Sequence, residues 1–178
     1  MLKIEYPIFE LNDSQNLEFK INEQKIKINI RGKNKDFFTK IGKILSIILP
    51  VEPNTSTSNG NLAALWLSPD EWMIYLNDNI FDDLYSEISK LNLGSVPDVS
   101  DQWVCIKIKG SKVFDLIISG SPFDFREFKN NKNHVTQTLL NHIDVTIHHK
   151  ELNEINLFVR RSFSEHLISW LKDSSRFI

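Results

Sequence analysis

The sequence predicts an α+β fold made of two similar halves, each running strand–glycine–helix–strands–helix, packed together as one domain over 178 residues. Three observations carry this expectation. The spacing of apolar residues switches between a period of two and a period near 3.6, twice and in the same order. A glycine closes the first strand of each half, Gly32 and Gly110. Each half alone is one thin sheet whose apolar face needs a cover, and a second half supplies it. The expected boundaries are an irregular segment over 1–24, a first half over 25–94 and a second half over 95–178.

In the first 24 residues, Tyr6-Pro7 suggests extended chain and Asn12-Asp13-Ser14 a loop. Ile26, Ile28 and Ile30 then alternate with Lys25, Lys27, Asn29 and Arg31, the pattern of a strand with one wet face. Past Gly32, residues 36–49 take helical spacing, with Phe37, Phe38, Ile41, Leu45 and Ile48 in one stripe and Pro50 as the stop. Residues 51–61 are a polar loop. Strands are expected at 63–68 and 72–76, separated by Ser68-Pro69-Asp70-Glu71, whose capping-box spacing predicts a tight helical turn. A helix follows over 80–91.

The second half repeats the order. Val104, Ile106 and Ile108 alternate with Trp103, Cys105, Lys107 and Lys109. Gly110 ends that strand, and a helix over 111–119 follows, closed by Gly120 and Pro122. Strands near 135–140, 143–149 and 155–160 precede a last helix over 163–173. Ser162 and Glu165 make a capping box there, and Phe163, Leu167, Trp170 and Leu171 form its stripe, with Trp170 expected in the core.

Composition narrows the function. Hydrophobic residues make up 41% and charged residues 25%, ordinary for a globular chain. Net charge is −2, which disfavours nucleic acid as a partner. No apolar signal region opens the chain, and the longest nearly apolar run, Ile41 to Val51, is too short to span a bilayer. A cytoplasmic protein without a membrane partner is the expectation. The one cysteine, Cys105, excludes an internal disulfide and a cysteine-based zinc site.

The residue types that carry chemistry are present but scattered. His148 and His149 are neighbours and point to opposite faces of a strand, so they cannot share a metal ion. Cys105 has no activating group nearby beyond Lys107. Ser68, Ser111 and Ser162 stand at expected helix starts, where capping explains them. Gly32-Lys33-Asn34 and Gly110-Ser111-Lys112 lie between strand and helix but match no phosphate-binding motif. No catalytic, cofactor-binding or metal residue is assigned. The lysines and arginine at 25, 27, 31, 33, 35, 40 and 43 form a basic face, read as a solvated strand face or a docking surface for an acidic partner. Trp103 and Cys105 occupy the polar-parity face of their strand. Either helices cover that face or a larger subunit docks on it. Trp66, Trp72, Asp101, Trp103 and Arg126 are the candidate interface residues.

Several short pieces occur in a telling order: Leu67-Ser68-Pro69-Asp70-Glu71-Trp72, Val99-Ser100-Asp101-Gln102-Trp103, Ser119-Gly120-Ser121-Pro122-Phe123-Asp124, Thr136-Gln137-Thr138-Leu139 and Arg160-Arg161-Ser162-Phe163. From about residue 63 to the C-terminus, this set resembles the gamma subunit of heterotetrameric sarcosine oxidase. The resemblance implies a fold similar to the folate-binding domain of aminomethyltransferases. It implies an accessory, non-catalytic subunit of a complex that demethylates sarcosine oxidatively, giving glycine, hydrogen peroxide and formaldehyde or methylene-tetrahydrofolate. The implied partners are alpha, beta and delta subunits. FAD, FMN, NAD, zinc and tetrahydrofolate are expected on those other subunits and none in this chain. The alternative is a free-standing tetrahydrofolate-dependent one-carbon transfer or folate-binding protein. Aminomethyltransferases place a carboxylate in the strand corresponding to residues 133–139. Here that stretch is Asn133-His134-Val135-Thr136-Gln137-Thr138-Leu139, with no acid before Asp144. Thr and Gln can hydrogen-bond but cannot supply the negative charge.

Overall fold

Two antiparallel sheets with the same internal strand order stack face to face in a computed structural model that describes residues 16–22, 26–60, 62–76 and 81–178. The strands are β1 (Glu18–Asn22), β2 (Ile26–Arg31), β3 (Ser56–Ser58), β4 (Leu62–Ser68), β5 (Glu71–Leu76), β6 (Trp103–Lys109), β7 (Val135–Leu140), β8 (Ile143–Glu151) and β9 (Glu154–Arg160). The helices are α1 (Lys35–Leu45), α2 (Phe81–Lys90), α3 (Val113–Ile118), α4 (Phe125–Phe128) and α5 (Arg161–Ser174). The four-stranded sheet runs β2-β5-β4-β3 and the five-stranded sheet runs β1-β6-β9-β8-β7. Without β1, each half pairs its first strand with its fourth, its fourth with its third and its third with its second. The expected pseudo-repeat is therefore present in the hydrogen-bond topology.

The segments leading into each half cross over. β1 precedes the first half but pairs with β6 of the second, from Glu18 opposite Lys109 to Asn22 opposite Cys105. The segment before β6 lies along β2 instead: Asn29 N donates to Pro97 O at 3.1 Å and Arg31 N to Ser95 O at 2.9 Å. The β6 edge is thus covered by chain that precedes the first half and the β2 edge by chain that leads into the second, which leaves less unpaired edge for intermolecular strand addition. Two glycines permit the close approaches. Gly110 has φ +143, and a Cβ there would run into the carbonyl oxygen of Asn16 just before β1; a Cβ on Gly94 would meet the carbonyl oxygen of Arg31.

Three apolar clusters define four layers. Ile28, Ile30 and Ile74 meet Phe37, Ile41 and Leu45 of α1 and Ile88 of α2 on the outer face of the four-stranded sheet. Val104, Ile106, Val145 and Leu157 meet α3, α4 and α5 on the outer face of the five-stranded sheet. Between the sheets lie Ala63, Leu65, Met73, Tyr75, Cys105, Val135 and Phe158. Each fully buried Leu, Ile or Phe contributes about 1.5–3 kcal/mol of transfer free energy, so the two outer clusters supply most of the stabilisation.

Several elements depart from the sequence reading. The segment taken as irregular holds β1, and the polar loop holds β3. Residues 68–71 form a tight hairpin turn between β4 and β5, with Ser68 Oγ donating to Asp70 Oδ1 at 3.0 Å, and no helical turn forms. The serine caps fail as well. Among the described residues, the side chains that cap helices are Asn34, whose Oδ1 accepts from Phe37 N at 2.6 Å, and Asp124, which accepts from Arg126 N at 3.0 Å. Ser162 lies inside α5, and the residue before α3 is Lys112, with no capping side chain. Phe163 of the expected α5 stripe stands 52% exposed, and Trp170 is half-buried against Gly120. The β2 face read as wet is turned inward, and Lys27 is 1% exposed. The face holding Cys105 is covered by the other sheet, where the sequence offered helices of this chain or a larger subunit, and Trp103 packs partly buried at its margin. Lys25, Ile80 and the Tyr6-Pro7 and Asn12-Asp13-Ser14 readings lie outside the described residues.

Candidate functional site

At one end of the sandwich the sheets part and a cleft of about 560 Å³ opens. Antiparallel register sets its geometry. Trp103 pairs with Arg160, and one step along the ladder Asp144 pairs with Leu139 and stands opposite Arg160, so these four side chains form one row across the five-stranded sheet. Leu67, Glu71, Met73 and Asn29 face them from the four-stranded sheet. The ordered pieces singled out in the sequence converge here: Glu71, Gln102, Trp103, Pro122, Gln137, Thr138 and Arg160 all line the cleft, although they are spread over ninety residues of chain.

The walls are fixed by local bonds. The Arg160 guanidinium stacks 4.3 Å above the centre of the Trp103 ring and donates to Gln102 Oε1 at 2.9 Å. Gln137 Nε2 reaches across to Leu67 O at 2.8 Å and ties one sheet to the other. Glu71 accepts from Asn29 Nδ2 at 2.6 Å and pairs with Arg31 at 3.3 Å. Within residues 133–139, the stretch where the resemblance implies a carboxylate in aminomethyltransferases, Gln137 carries an amide whose donor is occupied by a backbone carbonyl.

The candidate interface residues divide. Trp103 is half-buried at the cleft, and Asp101 beside it is exposed; Asp101 O accepts from Arg161 Nε at 2.7 Å, which joins the start of β6 to the start of α5. Arg126 is exposed and chelated by Asp124. That contact and the helix start hold the Asp124 carboxyl down at about 2. Trp66 is half-buried. Trp72 is a correction: at 1% exposure it sits among Phe37 and Phe38, with its indole N–H donating to Pro50 O at 2.8 Å, and it has no surface to present.

Deeper between the sheets lies a hydrogen-bonded chain that residue pattern did not reveal. Asn156 Nδ2 donates to the Tyr75 oxygen at 2.9 Å, and that hydroxyl lies 2.9 Å from His148 Nδ1. His148 Nε2 lies 2.8 Å from Ser56 Oγ, which donates to Asn133 O at 2.9 Å. With the Ser56 proton committed to a carbonyl, Nε2 must be the donor and Nδ1 the acceptor, so the network assigns His148 as the neutral Nε2–H tautomer. Burial pushes its pKa down to about 3, with Lys150 and His149 adding to the effect. Burial drives the Tyr75 hydroxyl upward and the Cys105 thiol up to about 12. His149 faces the other way, under α4, with Nδ1 2.8 Å from Asn131 O. The two histidines occupy opposite faces, as strand parity requires. Among the described residues no group of three or more His, Cys, Asp or Glu could hold a metal ion, and no helix is long and apolar enough to cross a membrane.

A sequence model of the sarcosine oxidase, gamma subunit family matches residues 31–176. The chain belongs to that family. The gamma-family match reaches back through α1 to Arg31, the last residue of β2, well before residue 63, where the sequence resemblance begins. A curated relative, sarcosine oxidase subunit gamma of Corynebacterium sp. (strain U-96), is 26% identical over 114 residues, which is 63% of this chain and 55% of the relative. The chain thus matches about half the length of that relative. The fold is similar to a chain of heterotetrameric sarcosine oxidase from Corynebacterium sp. U-96 in complex with pyrrole 2-carboxylate, with a TM-score of 0.81, 20% identity and coverage of 89% of this chain and 83% of that one. It is also similar to glycine cleavage system aminomethyltransferase T from Bartonella henselae, with a TM-score of 0.66, 11% identity and coverage of 90% and 46%. The expected likeness to the aminomethyltransferase fold is therefore present.

Proposed function

We propose that this gamma-family chain is a non-catalytic accessory subunit of a heterotetrameric sarcosine oxidase. The complex would demethylate sarcosine oxidatively to glycine, hydrogen peroxide and formaldehyde or methylene-tetrahydrofolate. Its partners would be alpha, beta and delta subunits carrying FAD, FMN, NAD, zinc and tetrahydrofolate.

The observation that carries this reading is the placement of the titratable groups. His148, Tyr75 and Cys105 are sealed between the sheets, each held in its neutral form by burial at neutral pH. A general base or nucleophile needs a pKa near the working pH and a path to substrate, and these groups have neither. The cleft presents an aromatic–guanidinium pair, Trp103 and Arg160, the residue types that anchor protein interfaces, and of its carboxylates, Glu71 and Asp144, Glu71 is held by Asn29 and Arg31. We place contacts with a companion at Trp103, with Asp101, Trp66 and Arg126 as further contact residues.

Co-expression with the alpha, beta and delta chains followed by size-exclusion chromatography tests the reading. The four chains are expected to elute together, and Trp103→Ala is expected to weaken that association. Turnover of sarcosine by the purified chain, or its elution as a free species beside an assembled remainder, would overturn it.

A further inference from the structure

An apolar groove in the outer layer of the four-stranded sheet shares no residue with the cleft. It lies between the C-terminal part of α1, residues 46–51 and β3, and encloses about 880 Å³. Phe38, Ile47 and Leu49 line it, while Ile48 and Val51 stand 83% and 71% exposed at its rim. Two large aliphatic side chains this bare, set beside an apolar groove, mark an interaction surface.

The backbone presenting them is fixed. Ser46 takes the left-handed cap conformation, Ile47 N donates to Gly42 O at 3.1 Å, and Thr57 Oγ1 donates to Ile48 O at 2.6 Å. Trp72 Nε1 holds Pro50 O from below. A surface ordered in advance loses little entropy when a partner arrives.

Charge identifies the occupant. Lys43 lines the groove, Lys35 lies on the same side of α1 and Lys40 beside it; all three are exposed. None has a carboxylate within 4.0 Å among the described residues. The acids nearby in sequence are Asp36, in the first turn of α1, and Glu52, just past Val51. Strand addition at β3 is opposed because Ser56 N is already bonded to Asn133 O at 2.8 Å. A second copy is opposed by symmetry, since a two-fold contact through this patch would set lysines against lysines.

We propose that the groove seats an amphipathic helix of a companion subunit, with its apolar stripe on Ile48 and Val51 and acidic residues against Lys35, Lys40 and Lys43. This rests on the accessory-subunit reading. The basic run along residues 33–43 then has a use that the buried Lys27 does not share.

The full chain is co-expressed with the alpha, beta and delta chains as wild type, as I48D/V51D and as K40E/K43E. Wild type is expected to join the complex. I48D/V51D is expected to lower its affinity by at least about tenfold, with an unchanged circular dichroism spectrum and melting temperature because both side chains are exposed. K40E/K43E is expected to weaken assembly at low salt, with a loss that shrinks at about 0.5 M salt as screening grows. If wild type joins the complex and I48D/V51D joins equally well, the groove proposal fails and the accessory reading stands. If K40E/K43E has no effect at any salt, the acidic character of the occupant is wrong. If wild type does not join, both fail. A dimer of the isolated chain that I48D/V51D dissociates would overturn the heterologous occupant.

Discussion

The Tyr75 hydroxyl from one sheet hydrogen-bonds His148 Nδ1 from the other at 2.9 Å, and this contact locks the relative position of the two halves. Tyr75→Phe would leave Nδ1 and the Asn156 amide without their common partner in a sealed space. An unsatisfied buried polar group costs about 1–3 kcal/mol, so urea unfolding of the variant should show a loss of that size with the m-value unchanged.

His148 also makes stability depend on pH with a definite sign. Its pKa falls from an ordinary 6.5 to about 3 on folding, so between those values the unfolded chain binds a proton that the folded chain refuses. Stability at this site is complete above 6.5 and declines as pH falls towards 3, by at most about 1.4 kcal/mol per unit. His148→Gln should be less stable at pH 7 and should show a shallower decline below pH 6.5. A wild-type denaturation midpoint unchanged from pH 7 to pH 4.5 would contradict the assignment.

Cys105 is 1% exposed and its thiol is pushed up to about 12. The folded chain should give no thiol reaction with a disulfide reagent at pH 8, and one equivalent should appear on addition of denaturant. The rate should follow unfolding rather than thiolate chemistry.

Lys107 pairs with Glu154 at 2.7 Å, and the Glu154 side chain is only 9% exposed. Lys107→Met would leave that carboxylate largely buried without its cation, at a cost of about 2 kcal/mol or more. Adding Glu154→Gln should recover part of the loss, and a double-mutant cycle by thermal melting measures the coupling.

Gly110 combines a positive φ with contact against the backbone of Asn16. Gly110→Ala should cost at least about 1–2 kcal/mol from the backbone conformation alone. Because the contact is with the chain just before β1, amide exchange in β1 and β6 should rise more than exchange in β3 and β4.

Period by itself located β2, β6, α1 and α5, and the two-half architecture was legible in the repeated strand–glycine–helix order. Alternation and helical stripes are local consequences of burying one face, so they can be read in a few neighbouring residues. The ordered short pieces likewise point to the gamma-subunit family. What covers each face was not legible. Lys27 and Cys105 lie on faces that alternate like wet ones, yet both are buried, because the opposing sheet is contributed by residues about seventy-five positions away. Trp72 looks in sequence like Trp103, and only packing against Phe37 and Phe38 separates a core tryptophan from one at a cleft. The crossing of β1 to β6, the Tyr75–His148 bond and the gathering of Glu71, Gln137 and Arg160 around one cleft were decided by tertiary structure alone. Each depends on how two sheets register against each other, and that follows from the summed packing of side chains far apart in the chain.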